Sequence, residues 1–435
     1  MIQEKTTNWD FEDEYAWRGC YAPSYLYMQL GFKVERCLTG YSPRNLGTVI
    51  HEYTHFLQNL TTPWGLYSSW LHYKIILKFF YKLISDKNDS ITIPVPRDAD
   101  RDNQVLCNGN GSRTTLDGIS SNVLKIDDLS DINFRCIPIK ELKSNKIILD
   151  FKDVNCGHQQ IELGAWIIKE SMAAMIQRKI DPESYDRHPD IPYKLVELLC
   201  KSKFLSIASD PQKLYAICYA SLFSMNPGYE FTNIASDAVN HPEYNAEEIL
   251  NNYVNSSQIE INGDQLLSFA DFYSEISKKY LNILSGIMNL GSINPICVPR
   301  VINQTQFVDG VYPLLFLYTA APSIDDIEGI MDDFGTPAIL GINSTSLFPY
   351  FKDNKDSSQE IVFLIGIDNL FRYLTDTTHG IGICPMLKYC QYENVVSDKC
   401  YETPWDRDKS TDQKCILFHM ANILGINKKT VKNYV

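Results

Sequence analysis

At 435 residues the chain is long enough for one large or two ordinary domains, each with a core that needs no covalent staples. A formal net charge of −13, with no long Lys/Arg run, opposes a nucleic-acid surface, because phosphate binding relies on a concentrated basic field. Twelve cysteines scattered along so large a chain read as free thiols rather than a disulfide framework.

The N-terminal stretch MIQEKTTNWDFEDEYAW is polar and acidic where a secretory signal has a basic end and an apolar run, so a cytoplasmic protein is expected. The longest apolar runs, such as Val311 to Pro322, are too short to span a bilayer and contain prolines. No membrane partner is expected. From Ser24 to Leu38, aromatic and β-branched residues in rough alternation predict one long or two short strands. Ser42 followed by Pro43 then signals a helix start, since the hydroxyl accepts from an orphan amide and proline tolerates the first helical position. That helix is predicted from about Pro43 to Leu60, is ended by TTPWG, and is followed by a second from about Gly65 to Ile84.

Residues 86–132 are polar and punctuated by Asn, Asp, Gly and Ser, which predicts loops around short strands such as ITIPVP; FRCIPI and KIILDF predict two more strands. The helical period returns from about Gln160, in IELGAWIIKESMAAMIQRKI, and again near Tyr193 to Phe204. Asp210 and Pro211 open another helix, which NPG at Asn226 to Gly228 is expected to stop. A long helix is predicted over Gln265 to Met288, and beyond Ser292 apolar segments mix with acidic loops such as SIDDIEGIMDDFG. The expected fold class is α+β, with a division near residue 255 into residues 1–255 and a mostly helical 256–435.

Inside the first predicted helix stands His51-Glu52-Tyr53-Thr54-His55. Residues four apart share a helix face, so the two imidazoles can point at one ion, and Glu52 is displaced sideways to reach a metal-bound water without ligating. A hydrolytic zinc site needs that arrangement: neutral imidazoles hold the ion, its water is acidified, and the carboxylate takes the proton. Leu46, Val49, Ile50, Tyr53, Leu57 and Leu60 form the core-facing stripe, and the histidines fall on the opposite side, where an open cleft is expected.

Catalytic zinc needs a third protein ligand. Six residues after His55 stands Thr61, and nineteen after it stands Lys74, so neither common nearby ligand is present. His72 lies among Trp70, Leu71 and Tyr73. The best candidate is Glu170, whose helical neighbours Trp166, Ile167, Ala173 and Ala174 are all apolar. A carboxylate on such a face is costly to bury unless it meets a cation, and the two alanines allow close approach to the first helix. An ion pair to a buried cation is the bland alternative. Glu162 is the runner-up, simply explained by helix-start amides, while His158 and His188 stay open as ligands or as donors to a tetrahedral intermediate.

HEYTH on one helix and ESMAA on a later one resemble the zincin-like metallopeptidases of the gluzincin arrangement. The resemblance implies that His51, His55 and Glu170 are Zn2+ ligands, that Glu52 is the general base, and that Ala173 is the small companion three residues after the ligand. It further implies a zincin-like metallopeptidase domain over 1–255, with a strand and loop insertion at about 86–158 that shapes the cleft, and a protein or peptide substrate. The acidic residue that orients a ligand histidine in some members is missing at Ala173 and Ala174, and Gln58, one turn past His55, is expected to share that role. The rival expectation is a non-catalytic protein of the same fold that binds or regulates, its metal structural or absent.

Cys384, Cys390, Cys400 and Cys415, with His419 a turn after the last, crowd the C-terminal stretch, but their gaps are wider and less even than structural zinc pairs show. Buried thiols are expected there. The aromatic residues, 12% of the chain, are expected in the core with a fraction lining a peptide groove.

Overall fold

The structure, a computed structural model, describes residues 19–22, 27–96, 100–120, 123–256, 258–261, 265–290, 312–319, 323–341, 346–347, 357–375, 400 and 415–433. Within them the chain is a mostly helical α+β fold with small sheets. Strands β1 (Gly19–Ala22) and β2 (Tyr27–Leu30) pair antiparallel; of the stretch Ser24 to Leu38 expected to hold one long or two short strands, only β2 is a strand among the described residues, and β1 precedes it. The second pairs in parallel with Ala338–Leu340, which in turn pairs with Ser346–Leu347 to complete a four-stranded sheet. A strand from the far end of the chain therefore sits beside the entry to the first helix.

Helix α1 (Pro43–Thr61) starts as its sequence predicts, with the Ser42 hydroxyl accepting from the Asn45 amide and proline at the first helical position. Helix α2 (Pro63–Ser85) begins two residues earlier than expected, because Thr62 is at once the end of α1 and the cap of α2, accepting from Gly65 N–H through its hydroxyl. Strand β3 (Ser90–Ile93) pairs in parallel with Thr430–Asn433. The stretch expected to be loops also holds helix α3 (Arg101–Asn110), capped by the Asp100 carboxylate. Strands β4 (Asn133–Ile139), β5 (Ser144–Asp153) and β6 (Gly157–Leu163) form an antiparallel meander. Helix α4 (Ala165–Ile180) follows at once, so Ile161 to Leu163, expected to be helical, close a sheet instead.

Short helices α5 (Ser184–Arg187), α6 (Leu195–Lys203) and α7 (Leu205–Ala208) lead to α8 (Pro211–Ser221), whose cap is the predicted Asp210. Asn226–Pro227 does not stop that helix; it opens α9 (Pro227–Asn240), since proline at the first helical position is a start signal. Helix α10 (Ala246–Ser256) and the hairpin β7 (Gln258–Ile261) and β8 (Gln265–Ser268) precede α11 (Phe269–Leu290), so the helix expected from Gln265 begins four residues later. The acidic SIDDIEGIMDDF is not a loop. It is a helix, Ile324–Phe334, held by a capping box in which Ser323 and Asp326 satisfy each other's amides, with Ile327 and Ile330 buried. No helix among the described residues is long and apolar enough to cross a membrane.

Helices α1 and α4 form the centre, packed against each other, with α2 on α1 and α11 on α2. Gly47, early in α1, faces Gln177 and Asp181 at the end of α4, while Gln58, late in α1, reaches Lys169 near its start. The two helices are thus antiparallel, and the small Ala173 and Ala174 are buried as expected.

Where β6 turns into α4 the packing is backbone on backbone. A Cβ on Gly228, in the first turn of α9, would lie 2.0 Å from the Leu163 carbonyl oxygen, and one on Gly164 would lie 2.4 Å from the Gly111 nitrogen. Neither neighbour can give way as a side-chain tip would. Gly228→Ala is expected to destabilise the protein by about 1–3 kcal/mol, seen as a lower urea midpoint with an unchanged slope. A wild-type midpoint would show that this corner yields.

Candidate metal centre

Helix α1 brings His51 and His55 to one side by their four-residue spacing, and α4 supplies Glu170 across the helix interface. One carboxylate oxygen, Glu170 Oε2, lies 3.2 Å from His51 Nε2 and 3.3 Å from His55 Nε2. The two rings stand edge to face, with centroids 4.9 Å apart. The three ligand-type atoms all lie within 4.8 Å of one another, the one such metal-ligand group found among the described residues.

Those distances serve as a fit test. Zinc bonds to imidazole nitrogen and carboxylate oxygen run about 2.0–2.2 Å, and ligands on a tetrahedral ion are then about 3.3–3.5 Å apart. The two nitrogen-to-oxygen separations, 3.2 and 3.3 Å, lie at or just under the edge of such a tetrahedron, so a small outward shift would seat the ion. Two imidazoles and one carboxylate are also a donor set that catalytic zinc uses, with one corner left for solvent or substrate.

No protein-family profile, curated protein or solved structure matches this chain.

The cluster's charges are coupled. Burial alone would raise the proton affinity of Glu170, but the imidazoles, His55 foremost, outweigh it and hold the carboxyl well below the usual carboxylate range. For His55 the signs reverse: burial lowers its proton affinity, while Glu170, then Glu52 and Gln58, raise it to a net increase. Lys169, next to Glu170, is pushed down to about 8 by burial against the pull of that carboxylate.

Glu52 is buried, with 5% of its surface exposed, and its charge is felt at His55. Gln58 takes the place expected of it: its Oε1 lies 2.8 Å from His55 Nδ1, and its Nε2 donates to the Lys169 carbonyl at 3.0 Å. His51 differs, because its Nδ1 is buried with no hydrogen-bond partner among the described residues.

His188 also comes to the site. Its ring stacks on Tyr193 at 4.4 Å, and both rings face His51, at 6.2 Å and 5.8 Å. Burial, helped by His51, pushes His188 down to about 3, so it is a neutral ring at ordinary pH. Tyr193 has no counterpart among the sequence candidates. Nothing in HPDIPYK marks it, and its place beside His51 is set by the chain returning after α5.

The other candidates lie elsewhere. Glu162 sits on β6 and pairs with Lys146 at 2.8 Å, so its carboxylate has a lysine rather than an ion as partner. His158 is an exposed residue of the same strand. His72, on α2, packs against Tyr73 and Phe371. Cys400 and Cys415 are buried, and His419 is exposed; Cys384 and Cys390 lie outside the described residues.

The expected open cleft along one side of α1 is corrected. Nearly every residue from Leu46 to Thr61 is buried, including the polar Thr48, Glu52, Thr54, Gln58 and Asn59, because α4 covers the face that the apolar stripe leaves. The site is reached where His55 and Glu170 emerge, with side chains 12% and 20% exposed.

Proposed function

We propose that the protein is a zinc-dependent hydrolase of peptide bonds, acting on a protein or peptide. One observation carries this: a single carboxylate oxygen from α4 close to the tetrahedral-edge distance from two imidazole nitrogens of α1, with a buried glutamate directly after the first histidine. His51, His55 and Glu170 would hold the ion. When bound, zinc acidifies water and polarises the carbonyl under attack.

The chain's own residues do the rest. Glu52 accepts the proton of the attacking water and passes it to the departing amine, one group acting as base and then as acid. Its burial beside His55 keeps it out of bulk solvent, so the proton is not lost between the two steps. His188 and Tyr193 form a wall beside His51, and a neutral imidazole N–H or a phenol O–H from it would meet negative charge on the reacting carbonyl oxygen. Gln58 holds the His55 ring.

The test is metal analysis of the purified protein, followed by digestion of a broad peptide mixture with and without a chelator. About one zinc per chain is expected, with cleavage that stops on chelation and returns on adding zinc. Zinc without cleavage would support a binding or regulatory protein, and no zinc uptake would overturn the metal centre.

A further inference from the structure

We propose that Gln58 is a positioning residue that sets the tautomer of His55 and ties that ligand to the backbone beside another. This rests on the metal centre proposed above.

Gln58 is wholly buried. Its amide has one end against the Lys169 carbonyl at 3.0 Å, and a carbonyl oxygen only accepts, so that end is the NH2 group. The other end, Oε1, then faces His55 Nδ1 at 2.8 Å. An amide oxygen has no proton to give. Nδ1 must therefore be the donor, and the neutral ring carries its lone pair on Nε2, the atom turned toward Glu170 Oε2 at 3.3 Å. Since Lys169 directly precedes Glu170, one side chain links the ring of one ligand to the peptide before the next. The gap across α1 and α4 is thereby set on the scale of two hydrogen bonds.

His51 shows what happens without such a partner. Its Nδ1 finds none among the described residues, and the ring is bounded by His188 and Tyr193 rather than by an acceptor. Its Nε2 is free to keep a proton and donate it to Glu170, at 3.2 Å. In metal-free protein that N–H···O arrangement competes with the ion for the same nitrogen. At His55 Gln58 holds the ring by its far side, so that Nε2 is kept turned toward Glu170 as the atom that would meet the ion. Without Gln58 the His55 ring would lose its side-chain tether to the α4 backbone and with it the fixed direction of Nε2.

The experiment measures the zinc affinity of the full chain by competition with a chromogenic chelator, in wild type and in Gln58→Leu. Outer partners of this kind contribute about 10- to 100-fold in affinity, and a loss of that size is expected for Gln58→Leu. Equal affinity in the two proteins overturns the role of Gln58 while leaving the metal centre intact. Failure of the wild type to take up zinc overturns the metal centre, and the role of Gln58 with it. Should Gln58→Leu not fold, nitrogen-resolved NMR of the metal-free wild type, at a pH where His55 is neutral, decides independently. The proton is expected on Nδ1, a signature that mere packing would not impose, and a proton on Nε2 refutes the proposal.

Discussion

Glu52→Gln is expected to bind as much zinc as the wild type and to hydrolyse peptide about 10²- to 10⁴-fold more slowly. The amide has nearly the volume of the carboxylate, so the packing of α1 around this buried position is kept, and none of His51, His55 or Glu170 is altered. What disappears is a group able to accept a proton from water and give it to an amine. Metal content by mass spectrometry and turnover of whatever peptide the wild type cleaves must be measured on the same preparation, because only the combination is decisive. Full turnover with zinc retained would remove Glu52 from the chemistry. Loss of zinc together with turnover would make it a support for the site rather than the base.

Much of the local structure was legible because helix ends are chemistry of a few adjacent residues. Ser42-Pro43 and Asp210-Pro211 both open helices, with the polar side chain accepting from nearby amides of the first turn. Asn226-Pro227 opens a helix without a side-chain cap, and its start signal is proline at the first helical position, which a stop reading of NPG does not use. Strand β6 was hidden for another reason. Ile161, Leu163, Ile167 and Ile168 are all buried, so the apolar pattern runs from sheet into helix without a visible seam, and the break is at Gly164, where only a residue without Cβ fits against Gly111. The acidic helix at Ile324–Phe334 carried its own signature, a Ser three residues before an Asp ahead of spaced isoleucines, masked by its charge.

The site was legible as far as its cost was. A carboxylate with only apolar helical neighbours demands a partner, and that reasoning leads to Glu170 before any coordinate is known. The environment of α1 was not legible from hydrophobicity, because its second buried face is polar and is satisfied by hydrogen bonds that leave no apolar stripe. Thr54 and Thr61 donate to their own helix at Ile50 and Leu57, and Gln58 bonds to α4. His188 and Tyr193 reach His51 through a long-range return of the chain, which a window of sequence does not contain.

Glu170→Ala is the variant that separates a metal centre from an ion-pair cluster. If His51, His55 and Glu170 are ligands, its zinc affinity should fall by more than the roughly 100-fold that an outer partner costs, because a bond to the ion is lost outright. Glu170→Gln completes the argument, since it keeps the length and hydrogen-bonding capacity of the side chain but not its charge. An ion-pair role predicts that Glu170→Gln loses stability while bound zinc is the same in both proteins. A ligand role predicts that it folds and fails to hold zinc, and that the stabilisation which zinc confers on the wild type, read as a shift of the melting temperature on titration, is absent. The two roles also differ in pH dependence. The carboxyl of Glu170 is held well below its ordinary range, so in metal-free wild type its contribution to stability is present above the carboxyl's unfolded pKa and disappears as pH falls through the depressed folded value. Zinc should carry that stability upward through the range where His55, its proton affinity raised in the metal-free cluster, gives up its proton and the ion pair alone would fail.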